Sequence, residues 1–440
     1  MFTYYLKLAL HSLKRNVVLT VLMISAIGVG IGASMTTLTI FRAMDADPIP
    51  EKSTQLFAPQ IDNFGPDNKR VVTGDEEHLQ EQITYTDAVN LMNAHAATRQ
   101  AAMYMTGLPL TPPNRDLKPF RIVTRATYTD FFKMFDVPFL YGGPWSAADD
   151  GDRASVAVIT RELNDRVFNG ANSVGRTLNL NDHDYRVVGV LDRWRPLPKF
   201  YDLTETKYGA GEDLFIPFSR AIEGRMESWE TSNCAGYPGT GGWEGYLHSE
   251  CVWIQFWAEL PTAADVAHYR TFLHNYAAEQ QRSGRFHWAP HVRLRNVKEW
   301  LIHWGAVSND MRILVLVAFS FLLVCLLNAM GLMLAKIMSR AGDIGVRRAL
   351  GANRGTIFGQ CLIEAGVVGF AGGLVGLLLT ALGLRGVRSI VSPSIGGLTH
   401  LNLTDAAIAV ALAIAATTLA GLYPTWRAAQ LQPAWQLKAQ

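Results

Sequence analysis

The chain has 440 residues, of which 49% are hydrophobic and 18% charged, with a formal net charge of +2 and a mean hydropathy of +0.09. The length allows two or three domains, and the balanced charge excludes a broad basic surface for nucleic acid. A hydropathy so near zero excludes a chain made only of membrane spans, but fits a few apolar spans attached to a polar domain.

Residues 1–16 place Phe2, Tyr5, Leu6, Ala9, Leu10 and Leu13 at helical spacing, with Lys7, His11 and Lys14 elsewhere around the helix. That pattern reads as an amphipathic helix on the inner membrane surface, or as the frayed start of the span that follows. Residues 17–41 are uncharged and too long for a signal peptide, so they read as a retained transmembrane helix.

From 42 to 310 the chain reads as an α+β domain. Strand-like runs cover 121–126, 156–160, 185–191 and 252–260, and Asn181–Asp184 marks a hairpin turn. Helical stretches fall near 85–95, 161–168 and 262–283. An α/β part is expected at about 50–120 and 251–300, with a mostly β part at about 121–220 inserted in it. The irregular stretch 192–250, rich in Gly, Pro, Trp and Tyr, reads either as a surface for a partner or cargo or as a packed elaboration. Cys234 and Cys251 flank its end: facing an oxidising compartment they can form a disulfide, and otherwise they are two reduced thiols. Asp149, Asp150 and Asp152 read as a solvated turn rather than a calcium loop.

Three further spans are predicted at 311–338, 357–384 and 404–424, the last ending at Pro424. Basic residues set the orientation: Lys7, Lys14 and Arg15 precede the first span, while Lys336, Arg340, Arg347, Arg348 and Arg354 surround the second connection. Arg427 and Lys438 follow the fourth span. These flanks belong on the cytoplasmic side with both termini, although Arg385 and Arg388 fall outside against the trend. The fold class is a membrane protein with four transmembrane helices, one before and three after a large α+β periplasmic domain with two subdomains.

Between the second and third spans, residues 339–356 form a short basic cytoplasmic helix, ended by Gly351 where a residue without a Cβ is favoured. The third span carries Gly366, Gly369, Gly372, Gly373 and Gly376, a small-residue pattern that permits close helix packing within the bundle or across a dimer. Glu364, in the same span, either snorkels to the interface or pairs with a polar neighbour. No lysine follows a glycine, so the pattern GxxxxGK[ST] does not occur in these 440 residues, and neither GxSxG nor HExxH is present. His287 and His291 have metal-like spacing, but Pro290 breaks the helix that would align them. No catalytic constellation, metal site or cofactor site is expected.

The string Asp343-Ile344-Gly345-Val346-Arg347-Arg348-Ala349-Leu350-Gly351-Ala352 closely resembles the motif that precedes the third span in MacB/FtsX permeases. Pro424, Arg427, Ala428, Ala429, Leu431, Pro433 and Leu437 are similar to that family's closing pattern, which places an FtsX-like permease domain at 311–435. Ser339 and Asp343 replace two acidic positions of the family. The resemblance implies a type VII ABC permease that transmits mechanical movement. It implies a separate ATPase chain that binds ATP and Mg, a second permease copy or paralogue in a dimer, membrane lipid, a periplasmic adaptor and an outer-membrane duct. It further implies an inner-membrane location with the large domain in the periplasm, and coupling to the ATPase through Asp343, Gly345, Arg347, Arg348 and Gly351. Alternatively, the arginines bind lipid phosphates. Export is the leading function, with lipoprotein release and activation of a periplasmic hydrolase or sensor kinase as alternatives.

Overall fold

The computed structural model describes residues 16–63, 72–73, 76–77, 79–114, 117–204, 207–209, 211–234, 241–306, 309–351, 353–390 and 403–429. The expected amphipathic helix of 1–16, except Asn16, lies outside the described residues, as does the closing pattern beyond Ala429. The chain divides into Met1–Asp45 with Val307–Gln440, and Ala46–Ala306.

Among the described residues, the first unit holds four helices long and apolar enough to cross a membrane. They are α1 (Val17–Met44), α10 (Asn309–Met338), α12 (Arg354–Ile390) and α13 (Leu403–Ala429), with the short α11 (Ala341–Ala349) between α10 and α12. Their apolar outer surfaces, such as Leu316, Leu323 and Leu378, are exposed, while Met23, Ile27, Ile31 and Ala413 are buried between helices. Such a bundle hides small residues and presents large apolar ones to lipid. One expectation needs correction: α13 continues through Pro424 to Ala429. Beside the proline, the Thr425 hydroxyl donates back to the carbonyls of Gly421 and Leu422 at 2.7 and 2.9 Å.

The second unit is built on one mixed sheet ordered β14-β1-β13-β5-β6-β11-β8-β10-β7. One half consists of β1 (Leu56–Ile61), β4 (Ile83–Thr84), β5 (Arg99–Thr111), β13 (Cys251–Glu259) and β14 (Val292–Asn296). The other consists of β6 (Phe120–Thr127), β7 (Phe139–Gly142), β8 (Val156–Ile159), β9 (Thr177–Leu180), β10 (His183–Leu191) and β11 (Leu214–Pro217). β5 and β6 join the halves in antiparallel register from Tyr104↔Ala126 to Leu110↔Phe120. The α/β and mostly β parts read from the sequence are thus the two halves of a continuous sheet. A two-residue turn at Asn181 and Asp182, both at positive φ, joins β9 to β10.

Both faces of the sheet are covered. Ala157, Ile159, Leu214 and Ile216 join one core, while Val156, Val158 and Phe215 join the other. Two-sided burial is why β8 and β11 read as unbroken apolar runs instead of alternating ones. The second core is largely aromatic: Phe131 stands edge-on to Phe135 at 4.8 Å and to Tyr201 at 5.5 Å. The helices used below are α2 (Tyr85–Ala94), α4 (Ala147–Gly151), α6 (Phe218–Glu223), α7 (Gly242–Leu247) and α8 (Ala263–Arg282). The acidic run 149–152 is a solvated turn only at Asp152, which is exposed after α4. Asp149 completes a capping box with Ser146 at the start of α4, and Asp150 accepts bonds from Thr129 N and Trp145 Nε1.

Candidate functional site

A charge in a membrane span needs a partner, because hydrocarbon offers no water to solvate it. Glu364 lies ten residues into α12, and Lys336 lies two residues before the end of α10. The structure brings them together: Lys336 Nζ is 2.5 Å from Glu364 Oε1, with both side chains largely buried. Arg340, just past α10, stands 3.9 Å from the same oxygen. Lys336 also donates to Thr20 Oγ1 on α1 at 3.3 Å. One clasp therefore ties α1, α10 and α12 together. A small apolar cavity beside it is lined by Met23, Met333, Val368 and Gly421, the last from α13.

The clasp sits at the root of α11. Ile344 N bonds Arg340 O at 3.1 Å, so α11 begins directly after Arg340. Gly351 follows α11 with φ +99°, a backbone conformation that strains any residue with a side chain. Asp343, Gly345, Arg347 and Arg348 lie on α11. The side chains of Asp343, Arg347 and Arg348 lie outside the described residues. Arg340 thus stands between the start of α11 and the ion pair that gathers three spans.

The glycines of α12 divide between two neighbours. A Cβ at Gly372 or Gly376 would meet Ile27 or Ile31 of α1 at 2.6 Å, and Gly28 and Gly32 of α1 lie equally tightly against Val375 and Leu379. Gly369 and Gly373 face Thr417 and Ala413 of α13, while Gly366 meets nothing within 4 Å in this chain. Close backbone approach of this kind supports helix packing where apolar burial gives no drive. Sequence reasoning missed Gly28 and Gly32, although their four-residue spacing was visible, and it used Lys336 and Arg340 only as orientation charges. The signal for the clasp was a lone acid in one span and a lysine near the end of the preceding one.

The other unit holds a buried ionic network. Arg125 on β6 is fully buried, and its guanidinium bonds Asp202, Glu212 and Glu230. Lys199 joins Glu212 at 2.8 Å and Asp202 at 3.2 Å. Tyr201 donates to Glu212 at 2.8 Å, and Gln255 donates to Glu230 at 2.5 Å. Burial opposes the charged form of Glu212, but Lys199 and Arg125 outweigh it and lower its pKa to about 2. Asp202 is lowered in the same way: burial opposes its charge, and Arg125 and Lys199 prevail. Burial and the neighbouring charge of Asp202 push Glu230 well above the usual carboxylate range. Two cations thus face three acidic side chains, so every buried charge in the network has an opposite charge in contact. Cys234 and Cys251 are joined as a disulfide.

A family model described as the MacB-like periplasmic core domain matches residues 20–268, and one described as the FtsX-like permease C-terminal matches 315–433. The macrolide export ATP-binding/permease protein MacB of Marinobacter nauticus is 24% identical, over 99% of this chain and 60% of its own length. MacB of Azoarcus sp. is 25% identical, over 97% of this chain and 58% of its own. The pyoverdine export ATP-binding/permease protein PvdT of Pseudomonas aeruginosa is 26% identical, over 71% and 41%. The chain thus spans about 60% of the length of the first two relatives. The crystal structure of the periplasmic region of MacB from Actinobacillus actinomycetemcomitans aligns with 57% of this chain and 94% of its own, at 15% identity and a TM-score of 0.35.

Proposed function

Because the chain belongs to the MacB/FtsX family of ABC permeases, we propose that it is the permease part of an export-type transporter driven by a nucleotide-binding partner. ATP-driven closure of that partner moves α11, the clasp passes the movement to three spans, and the periplasmic unit changes shape. The subunit works as a dimer in the inner membrane with both termini in the cytoplasm. It delivers cargo to a periplasmic adaptor and an outer-membrane duct.

The observation that carries this reading is the Lys336–Glu364–Arg340 clasp at the root of α11. An intramembrane ion pair is costly and marks a working position more often than a structural one. In this proposal Asp343, Arg347 and Arg348 meet the ATPase, Gly345 and Gly351 shape the helix and its end, and ATP and Mg are held by the partner.

Affinity purification of the tagged chain from native membranes, followed by mass spectrometry, tests the assignment. Co-recovery of an ABC ATPase and a periplasmic adaptor supports export. Recovery of an ATPase with a wall hydrolase or sensor kinase in place of an adaptor replaces export with a regulatory role. Absence of any ATPase refutes the proposal.

A further inference from the structure

The irregular stretch 192–250 has no place in the transmission device, yet it forms much of one wall of a cleft in the unit Ala46–Ala306. The cleft has a volume of about 820 Å³ and lies among α2, α4, α6 and α7. That volume falls in the range that holds a small molecule, roughly 300–1,000 Å³.

Its walls have two chemistries. Tyr85, Phe218 and Tyr128 form an aromatic stack, with ring centroids 6.3 and 5.4 Å apart and planes within 22° of parallel. Trp243 lines the cleft too, its indole fixed by its Nε1 bond to Ile222 O at 3.1 Å. The charged lining is mainly acidic: Asp130, Asp150, Glu223 and Glu244 against Arg153 and Arg225. Arg153 is already engaged by Glu223 at 3.3 Å, so the unspent balance is negative. Burial raises the Asp150 carboxyl to about 6, which reflects a poorly solvated wall where a cation is worth more than in water. Gln100 lines the same cleft. Its Nε2 holds the carbonyls of Leu91 and Met92, while its buried Oε1 has no hydrogen-bond partner among the described residues.

Aromatic faces and carboxylates together select a positive charge on a flat or hydrocarbon body. The walls are held in place beforehand, since the Cys234–Cys251 disulfide and β12 (Asn233–Cys234) pin the segment that carries α7 onto β13. We propose that this cleft is a binding site for a small organic cation with an aromatic or hydrocarbon body. The site belongs to this unit alone and does not depend on the export reading.

The test is calorimetric titration of the full chain, in nanodiscs of zwitterionic lipid, with ethidium and with its neutral parent phenanthridine. One ethidium binds per chain, at least tenfold more tightly than phenanthridine. Glu244→Lys weakens ethidium fivefold or more, and Arg225→Glu tightens it two- to fivefold. Both positions are exposed, and unchanged thermal midpoints exclude misfolding. Equal binding of the two probes, or indifference to both charge changes, overturns the proposal. So does saturable binding of a lysine-rich peptide where ethidium does not bind, which would make the cleft a docking site for a protein segment.

Discussion

Replacing Lys336 by Met leaves Glu364 with Arg340, at 3.9 Å, in place of the 2.5 Å lysine contact. Replacing Glu364 by Gln leaves the largely buried Lys336 with neutral acceptors, the new amide oxygen and the Thr20 hydroxyl at 3.3 Å, in place of a carboxylate. Breaking a buried pair from one side costs roughly 3–5 kcal/mol, and translocon-based scales give about 2.5–3.5 kcal/mol for a charge at the centre of a span. Lys336 is near a helix end and can snorkel, so about 3 kcal/mol for either single change is a fair estimate. The double variant buries neither charge and should cost only about 1–2 kcal/mol, a coupling of several kcal/mol across the pair. Cys325 and Cys361 provide the assay, since both are free and buried in the membrane unit while the other two cysteines are bonded to each other. Thermal unfolding in detergent, followed with a thiol-reactive fluorophore, should show each single change lowering the midpoint by about 6–12 °C and the double change lowering it by less than either. Strictly additive losses, or single changes within about 1 °C of wild type, would refute the clasp.

In the other unit, the Glu212 pKa is lowered and the Glu230 pKa raised, so Glu230→Gln should lower the midpoint at pH 7 by less than Glu212→Gln does. Glu212→Gln should cost roughly 3 kcal/mol, from the displacement of its pKa from 4.5 to about 2. That contribution is fully present above pH 4.5 and disappears as pH falls toward 2, which a pH series of melting curves on both variants checks. Gly372→Leu and Gly376→Leu should each lose about 1–3 kcal/mol by clashing with Ile27 and Ile31, whereas Gly366→Leu should be tolerated; the same thiol assay separates them. Replacing Cys234 and Cys251 by Ser removes a cross-link between positions 17 apart and should cost about 3 kcal/mol, read from denaturant unfolding of the oxidised wild type and the variant.

The membrane spans were legible in the sequence because hydrocarbon leaves the backbone one solution, a long apolar helix, and composition alone reveals it. The helix ends were less so. Pro424 looks like a stop, yet α13 passes through it. In the other unit, β10 and α8 were visible from pattern and caps. Strand β5, from Arg99 to Thr111, was hidden by its internal Gly107 and Pro109. Pro109 falls where β5 passes from its pairing with β13, which ends at Met103, to its pairing with β9, which begins at Leu110. Of the candidate site, α11 was legible from its charged motif, whereas the clasp depends on the fold. Lys336 and Glu364 are 28 positions apart, and only the reversal of the chain through α11 brings them into contact. The Arg125 network was invisible for the same reason, its acids lying in a stretch without periodicity.

The claim that ATP-driven movement of α11 reaches the periplasmic unit is tested most directly by spin–spin distances between two copies, each labelled at the exposed Asp182, in the complex with its ATPase. The distance distribution should shift on adding ATP, and the shift should vanish when Arg347 and Arg348 are both replaced by Glu. An unchanged distribution while ATP is being hydrolysed by the wild-type complex would contradict transmission through this subunit.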